Sequence, residues 1–270
     1  MASLFISWSM TRPYFFLLMI LATFSPTATA QICSFWDTGC VDPLAQTAVS
    51  FKSPPLFLGP INFFYAFDAD ARGKGQEPMT KAGFWLGYDA YVNSSVIDRN
   101  RTSEIAVRVG NLTGTPAGNN NGCDGVWGPD CSKNLKDFFQ QTIYDLVNYG
   151  EEYSDPLHTI IGSFRDNPPV VPNCPPPLFD VNHFPVEEFA VETDPVKQVV
   201  ILKEVGNSQA PWSTWLIDNM TAAEQAEQVA VGIISRTPSY GATIPADQSG
   251  IDIELVCARA PSPGSSVSDD

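Results

Sequence analysis

The stretch Ile61-Asn-Phe-Phe-Tyr-Ala-Phe67 decides the fold class of this chain of 270 residues. It is a dense aromatic run of strand length, and it follows the proline-rich residues 53–60, where a regular hydrogen-bond ladder is not expected. Regular structure is therefore expected to begin at Ile61. Residues 83–92 predict a second strand, and because aromatic residues occupy both of its alternating faces, we expect both faces to be partly covered.

A cleaner amphipathic strand is predicted over residues 104–109. Its apolar face consists of Ile105, Val107 and Val109, and its opposite face consists of Glu104, Ala106 and Arg108. Since this alternation is typical of a half-buried strand, we expect the second face to meet water. Further strands are predicted over residues 186–192, 198–204, 229–234 and 251–256.

Helical patterns occur at two places in the chain. Ser132 can cap the first helix, whose apolar residues recur at three-and-four spacing as far as Val147, and Gly150 is a suitable stop. Thr221 and Glu224 form a capping box at the start of a second, shorter helix. Strands and helices do not alternate regularly. The sequence therefore predicts an α+β fold, mainly antiparallel β and sandwich-like, with one or two helices.

The first thirty residues have the features of a cleaved secretory signal. Arg12 precedes an apolar run over residues 14–22 that is too short to span a bilayer, and the small residues Ala28 and Ala30 stand at the cleavage positions. We therefore expect a secreted, extracellular protein whose mature chain begins at Gln31.

The remaining chain divides by composition. We expect a cysteine loop and proline-rich lead-in over residues 31–60, a single globular β-rich domain over residues 61–259 and a disordered tail over residues 260–270. Residues 167–177 contain two proline clusters that exclude both helix and central strand, so they are a candidate subdomain boundary.

Six cysteines are available for disulfides outside the reducing cytosol: Cys33, Cys40, Cys123, Cys131, Cys174 and Cys257. An even count allows all of them to pair, and the connectivity stays open from sequence alone. Short separations suggest two local bridges, Cys33 with Cys40 and Cys123 with Cys131. The last bridge would then join Cys174 to Cys257. Residues 111–131 are interpreted as a long loop closed by the second local bridge.

Four Asn-x-Ser/Thr triplets predict N-glycosylation, and they begin at Asn93, Asn100, Asn111 and Asn219. The formal net charge of −15 disfavours nucleic acid and anionic lipid as partners. After the leader, no apolar run reaches the roughly 18 residues of a membrane-spanning helix. We expect the partner to be an extracellular ligand, either a carbohydrate or another secreted protein.

Signatures of enzymes and cofactor sites are lacking in the sequence, and we expect no cofactor, no metal and no catalytic residue. His158 and His183 lie in loop-like sequence and are interpreted as surface or capping residues. Asp68 and Asp70 imitate the start of a calcium loop, but Met79 stands where that loop needs a bidentate glutamate. A polar turn between two strands is the preferred interpretation.

Paired carboxylates are the catalytic alternative, because glycoside hydrolysis uses two carboxyl groups that face each other across a sugar. The candidates on predicted strands are Glu187, Glu188, Glu192, Asp252 and Glu254. The aromatic residues that would stack on a sugar are Trp85, Tyr91, Trp212 and Trp215. With 30 acidic residues in the chain, a pair of this kind also arises by chance.

The segment Asn121-Gly-Cys-Asp-Gly-Val-Trp-Gly-Pro-Asp-Cys131, a short cysteine loop before a helix, resembles a pattern in uncharacterised fungal secreted or cell-surface glycoproteins. The resemblance implies a location outside the cell and no activity. The leading hypothesis is a secreted, disulfide-bonded glycoprotein that acts as a binding or accessory module without its own catalytic centre. The alternative is an extracellular carbohydrate-active hydrolase with a carboxylate pair.

Overall fold

The computed structural model describes residues 45–52, 60–72, 78–87, 100–110, 112–149, 153, 155–164, 167–175, 184–188, 191–194, 199–202, 213–217 and 221–260. The predicted signal peptide, the cysteine loop with Cys33 and Cys40, and residues 261–270 lie outside this part of the chain. Within it, no helix is both long enough and apolar enough to cross a membrane.

Two four-stranded antiparallel sheets form the framework. The first sheet has the order β1-β2-β3-β8, with β1 Ala45–Lys52, β2 Pro60–Arg72, β3 Pro78–Gly87 and β8 Ser213–Ile217. The second sheet has the order β10-β9-β4-β5, with β4 Arg101–Arg108, β5 Val186–Glu188, β9 Ala230–Pro238 and β10 Asp252–Ala258. Strands β6 Val191–Asp194 and β7 Val199–Leu202 pair separately.

Four helices accompany the sheets: α1 Asp124–Trp127, α2 Pro129–Asn148, α3 Pro156–Phe164 and α4 Ala222–Glu227. The predicted α+β class, mainly antiparallel β, is confirmed, although the described residues contain four helices where one or two were expected. The predicted capping box is confirmed at α4, where Thr221 accepts from the backbone of Glu224 and the Glu224 carboxylate accepts from the backbone of Thr221.

The sheets pack face to face around an aromatic core. Phe63, Tyr65 and Phe67 of β2 are fully buried in one cluster with Ile105 of β4 and Val256 of β10. Gly232 of β9 lies directly opposite Val256 of β10 in the same sheet. A Cβ on Gly232 of β9 would lie 2.6 Å from Val256 Cγ1 and 3.7 Å from Phe63 Cε2. The absence of a side chain at Gly232 therefore leaves room for Val256 on the inner face of the second sheet.

The helices form a third layer on the other face of the second sheet. Leu135, Phe139 and Ile143 of α2 pack in one buried cluster with Ile253 and Leu255 of β10. The same cluster contains the buried face of α3, whose members are Leu157, Ile160, Ile161 and Phe164. The second sheet is therefore covered on both faces.

This third layer corrects the prediction for residues 104–109. We expected Glu104, Ala106 and Arg108 to meet water, but their exposed fractions are 1%, 0% and 0%. The alternation itself is correct, since Ile105 and Val107 face the sandwich core. The second face is buried because α2 and α3 cover it, and this contact joins segments that are distant in sequence.

Two element boundaries also differ from expectation. Regular structure begins before Ile61, because β1 pairs with β2 along its whole length and places Phe51 in the core. Helix α2 begins at Pro129, a residue suited to the first helical position, and Ser132 is buried inside the helix. Ser132 therefore does not cap it and instead accepts a hydrogen bond from Trp127 Nε1 at 2.8 Å. Gly150 lies outside the described residues.

The proline-rich segment predicted as a boundary is held against α2 where it is described. Cys174 is bonded to Cys131, and Asn134 Nδ2 donates to the Pro172 carbonyl oxygen at 2.9 Å. Val171 is buried in the cluster beneath α2. A subdomain boundary over residues 167–177 stays a prediction.

Candidate functional site

A buried carboxylate joins the second sheet to the helical layer. Glu104, in the middle of β4, accepts the backbone N–H of Leu157 at 2.8 Å through Oε2 and that of His158 at 2.9 Å through Oε1. Both amides belong to the first turn of α3. The Glu104 side chain therefore caps the amino terminus of α3, where a Ser, Thr or Asp next to the helix in sequence is the usual N-cap.

The sequence around α3 explains why a distant partner is needed. Pro156, at the first helical position, has no N–H, and the carbonyl oxygen of Asp155 already accepts from the Thr159 backbone at 2.9 Å. The next two amides, of Leu157 and His158, have no partner inside the helix. Because this helix end is packed on the sheet, Glu104 satisfies both of them.

Acidic neighbours and burial perturb Glu104. Burial raises the pKa of its carboxyl group to about 7, the two α3 amides oppose this shift, and the charges of Asp155 and Glu188 add to it. Glu188 of β5 lies directly opposite Glu104 in the ladder. We call Glu104, Asp155 and Glu188, with the α3 amino terminus, the acid cluster. Within this cluster Glu104 is the group whose pKa is raised toward neutrality.

Two hydroxyl groups lie near the acid cluster on the face of the second sheet that the helices cover. Ser235 of β9 lies opposite Glu104, and Thr237 lies opposite Thr102. The hydroxyl oxygens of Ser235 and Thr237 are buried without a hydrogen-bond partner among the described residues. The acid cluster therefore lies in a polar strip within an otherwise apolar layer.

The chemistry open to the acid cluster is limited by access. Glu104 is 1% exposed, and each of its oxygens accepts a hydrogen bond from α3. Two carboxyl groups that act on a glycoside need a sugar or a water between them. In this structure both oxygens of Glu104 accept from α3 amides and the side chain is buried, so this carboxyl group caps a helix and is not open to solvent.

The other predicted carboxylates lie on opposite edges of the second sheet. Glu187 and Glu188 are on β5, whereas Asp252 and Glu254 are on β10, and β4 and β9 separate the two edges. Three strand spacings place the edges about 14 Å apart, beyond the roughly 5–10 Å that glycosidase pairs span. The sheet therefore does not bring the two groups together. Only the backbone of Glu192, in β6, is described.

Both carboxylates of β10 form surface ion pairs. Asp252 Oδ2 lies 3.3 Å from Arg101 Nη1, and Glu254 Oε2 lies 3.3 Å from Lys136 Nζ. The first pair links β10 to the start of β4, and the second links β10 to α2. These two acids therefore connect elements of the fold.

The aromatic residue predicted as a sugar platform is buried where its side chain is described. Trp85 is 6% exposed and stacks on Phe64 of the neighbouring strand, with ring centroids 5.1 Å apart and planes 4° apart. The expectation that both faces of β3 are covered is correct for this residue. Tyr91 and Trp212 lie outside the described residues, and only the backbone of Trp215 is described.

Of the two histidines, His158 is exposed in the first turn of α3, and His183 lies outside the described residues. Asp68 is buried in β2, directly opposite Lys81 of β3. No group of metal-binding side chains occurs in the part of the chain that the structure describes.

The predicted bridges Cys123–Cys131 and Cys174–Cys257 are wrong, whereas the predicted Cys33–Cys40 bridge lies outside the described residues and stays a prediction. Cys123 is bonded to Cys257 and Cys131 to Cys174, across 134 and 43 residues. Helix α1 and the start of α2 occupy the seven residues between Cys123 and Cys131, so this segment does not fold back as a closed loop. The backbone of Asn121 instead pairs with Cys257, whose N–H donates to the Asn121 carbonyl oxygen at 3.1 Å, and this contact places Cys123 beside β10.

One predicted glycosylation site lies in the described chain. Asn100 is exposed in a turn immediately before β4. Asn93, Asn111 and Asn219 lie outside the described residues, so their use stays a prediction.

Comparison with known proteins gives no relative. No family model, no curated protein and no solved structure matches the chain.

Sequence reasoning missed the role of Glu104 and the whole of α3. A signal for the helix is present, since Leu157, Ile160, Ile161 and Phe164 have the spacing of one helical face after Pro156. The burial of Glu104 has no comparable local signal. Its two partners lie 53 and 54 residues away in the chain.

Proposed function

We propose that this protein is a secreted, disulfide-bonded glycoprotein that acts as an extracellular binding or accessory module without a catalytic centre of its own. Its partner is an extracellular ligand, either a carbohydrate or another secreted protein. The high acidity of the chain, with a formal net charge of −15, disfavours nucleic acid and anionic membranes as partners.

The observation that carries the proposal is the use of the strand carboxylates. Glu104 caps α3, Asp252 pairs with Arg101, and Glu254 pairs with Lys136. The buried Glu104 is not available as a nucleophile or general acid at an open cleft, and the two β10 acids already have cationic partners. The disulfides add support for an oxidising location, because such bridges persist outside the reducing cytosol.

A carbohydrate-active hydrolase is the second candidate, and one observation favours it. A carboxyl group with a pKa of about 7 beside a second carboxylate is the electronic arrangement of a general acid and its partner. The burial of Glu104 beneath α3 argues against it. This candidate would require α3 to leave the sheet during turnover.

The experiment that tests the proposal exposes purified, secreted protein to a panel of polysaccharides and to a secreted-protein fraction. Bound protein and released reducing ends are measured in the same samples. If the proposal is correct, the protein binds one of these ligands saturably and releases no reducing ends. Reproducible release of reducing ends would support the hydrolase instead.

A further inference from the structure

One predicted glycosylation site lies beside an exposed aromatic residue. The triplet Asn100-Arg101-Thr102 occupies a turn and the first two residues of β4. The carbonyl oxygen of Asn100 accepts the backbone N–H of Ser239 at 2.7 Å, and the hydroxyl groups of Thr102 and Ser239 lie 3.1 Å apart. Tyr240 follows Ser239 directly, so its backbone begins next to the backbone of Asn100.

The ring of Tyr240 packs on a neighbouring aromatic side chain but stays exposed to solvent. Its side chain is 57% exposed, one of a few large apolar side chains in the described chain that are this open. Its ring meets the ring of Tyr153 at 90°, with centroids 5.7 Å apart. Tyr153 is itself anchored, because its hydroxyl donates to the Pro238 carbonyl oxygen at 3.0 Å. The packing of Tyr153 therefore fixes one side of an aromatic surface that otherwise meets water.

We propose that Asn100 carries an N-linked glycan and that the first sugar of this glycan covers the ring of Tyr240. The inference rests on the proposed function, which makes the protein a secreted glycoprotein. The apolar C–H face of a sugar ring packs well on an aromatic face and removes apolar area from water. A glycan tethered one residue before β4 reaches this ring at no cost in translational freedom.

The modification needs a co-reactant of one chemical class, a lipid-pyrophosphate-linked oligosaccharide. The Asn100 side-chain nitrogen bonds to the anomeric carbon of the first sugar, the bond from that carbon to the pyrophosphate oxygen breaks, and the lipid pyrophosphate leaves. The nitrogen loses one proton to the medium. Attachment in the secretory route takes place on extended chain, so the folded contacts of Asn100 do not oppose it. The exposed turn then leaves room for the glycan.

The test compares three forms of the protein secreted by a eukaryotic cell. The first carries intact glycans, the second is trimmed by an endoglycosidase that leaves only the first sugar, and the third is Asn100→Gln. Each form is treated with tetranitromethane, and nitration is measured by peptide mass spectrometry. Tyr149, which is 80% exposed at the C-terminal end of α2, is the internal control.

The first two forms are expected to nitrate Tyr240 about two- to tenfold more slowly than Asn100→Gln, the ratio that a ring contact of this strength gives. Nitration of Tyr149 is expected to be the same in all three. Native removal of the whole glycan by an amidase hydrolyses the side-chain amide and leaves Asp at position 100. Because this protein has already folded with its glycan, it should reproduce the Asn100→Gln result, and a folding defect in the variant cannot mimic it.

Two results would overturn the inference. One is a protein in which Asn100 is unoccupied, and the other is an occupied Asn100 with Tyr240 equally reactive in every form. Neither result contradicts the proposed function if glycans are found at other triplets and the ligand screen gives binding without turnover. A secreted protein with no glycan at any triplet would contradict both this inference and the glycoprotein assignment.

Discussion

The carboxylate of Glu104 accepts the backbone N–H of Leu157 at 2.8 Å, and this contact connects the middle of β4 to the first turn of α3. The capping residue lies on a strand, and 53 positions in the sequence separate it from the amide that it caps. Because burial raises the pKa of Glu104 more than the α3 hydrogen bonds lower it, the stability of the fold depends on pH.

We predict that the protein is more stable in mildly acidic than in mildly alkaline solution. The folded pKa of Glu104 is about 7, against 4.5 for the unfolded chain. The folded state therefore holds a proton that the unfolded state releases. This contribution is fully present below pH 4.5 and is lost as pH rises through 7, and it amounts to at most roughly 3 kcal/mol. Urea unfolding across this pH range measures it.

The matched variants for this prediction are Glu104→Gln and Glu254→Gln. Glutamine at 104 cannot ionise, so the difference in unfolding free energy between pH 5 and pH 8 should shrink in this variant and persist in Glu254→Gln. An unchanged pH slope in Glu104→Gln would contradict the assignment. At the acidic end an opposite trend begins, because hydrogen bonds lower the pKa of Glu224 and of Asp247, and their contributions are lost as pH falls through those lowered values.

Removal of the Glu104 side chain should loosen α3 specifically. In Glu104→Ala the buried amide of Leu157 and the partly buried amide of His158 lose their partner, and a buried unsatisfied group costs about 1–3 kcal/mol. We expect faster hydrogen exchange at Leu157 and His158. Glu254→Ala removes only a partly exposed ion pair with Lys136 and should cost less than about 1 kcal/mol. Equal protection of the α3 amides in both variants would show that Glu104 does not hold the helix.

The disulfide connectivity can be mapped directly. Cleavage after Trp127 separates Cys123 from Cys131, and trypsin cuts between Cys131 and Cys174, for example after Lys133 and Arg165. A non-reduced digest with both cuts should contain one linked pair of peptides with Cys123 and Cys257 and another with Cys131 and Cys174. Replacement of either bridge by two serines should cost about 2–5 kcal/mol, and the bridge with the larger separation should cost more. A digest that links Cys123 to Cys131 would contradict the structure.

Alanine substitution is expected to have opposite effects on stability at two glycines. At Gly232 a Cβ would meet Val256 Cγ1 at 2.6 Å, so Gly232→Ala should cost about 1–3 kcal/mol by overpacking the sandwich. At Gly162 in α3 nothing lies within 4 Å, so Gly162→Ala should stabilise the protein by about 0.5–1 kcal/mol. Thermal unfolding of both variants tests this, and a stabilised Gly232→Ala would show that Val256 does not crowd position 232 as described.

The fold class was readable from the sequence because local patterns carry it. Alternation over residues 104–109 and the capping box at Thr221 both depend on neighbours within a few residues, and both are present in the structure. Burial of the Glu104 face could not be read in the same way. A strand pattern reports which residues share a face, whereas the layer that covers a polar face is set by contacts between distant segments.

The disulfide connectivity could not be predicted from local patterns either. Short loops close at a lower entropic cost than long ones, and this argument favours Cys123 with Cys131. The helical segment between them and the pairing of Asn121 with Cys257 decide the connectivity instead. The acid cluster was missed for a related reason, because Glu188 was identified as a strand carboxylate while Glu104, its direct partner in the ladder, was assigned to solvent.

The most direct test of the account is a parallel measurement of ligand binding and reducing-end release for the secreted protein, Glu188→Gln and Asp252→Asn. The account predicts that all three proteins bind the same ligand with nearly the same affinity and release no reducing ends, because an exposed acid alone contributes little. Turnover by the unmodified protein that falls about 10²–10⁴-fold in one of the two variants would contradict it, since that loss is the mark of general acid catalysis.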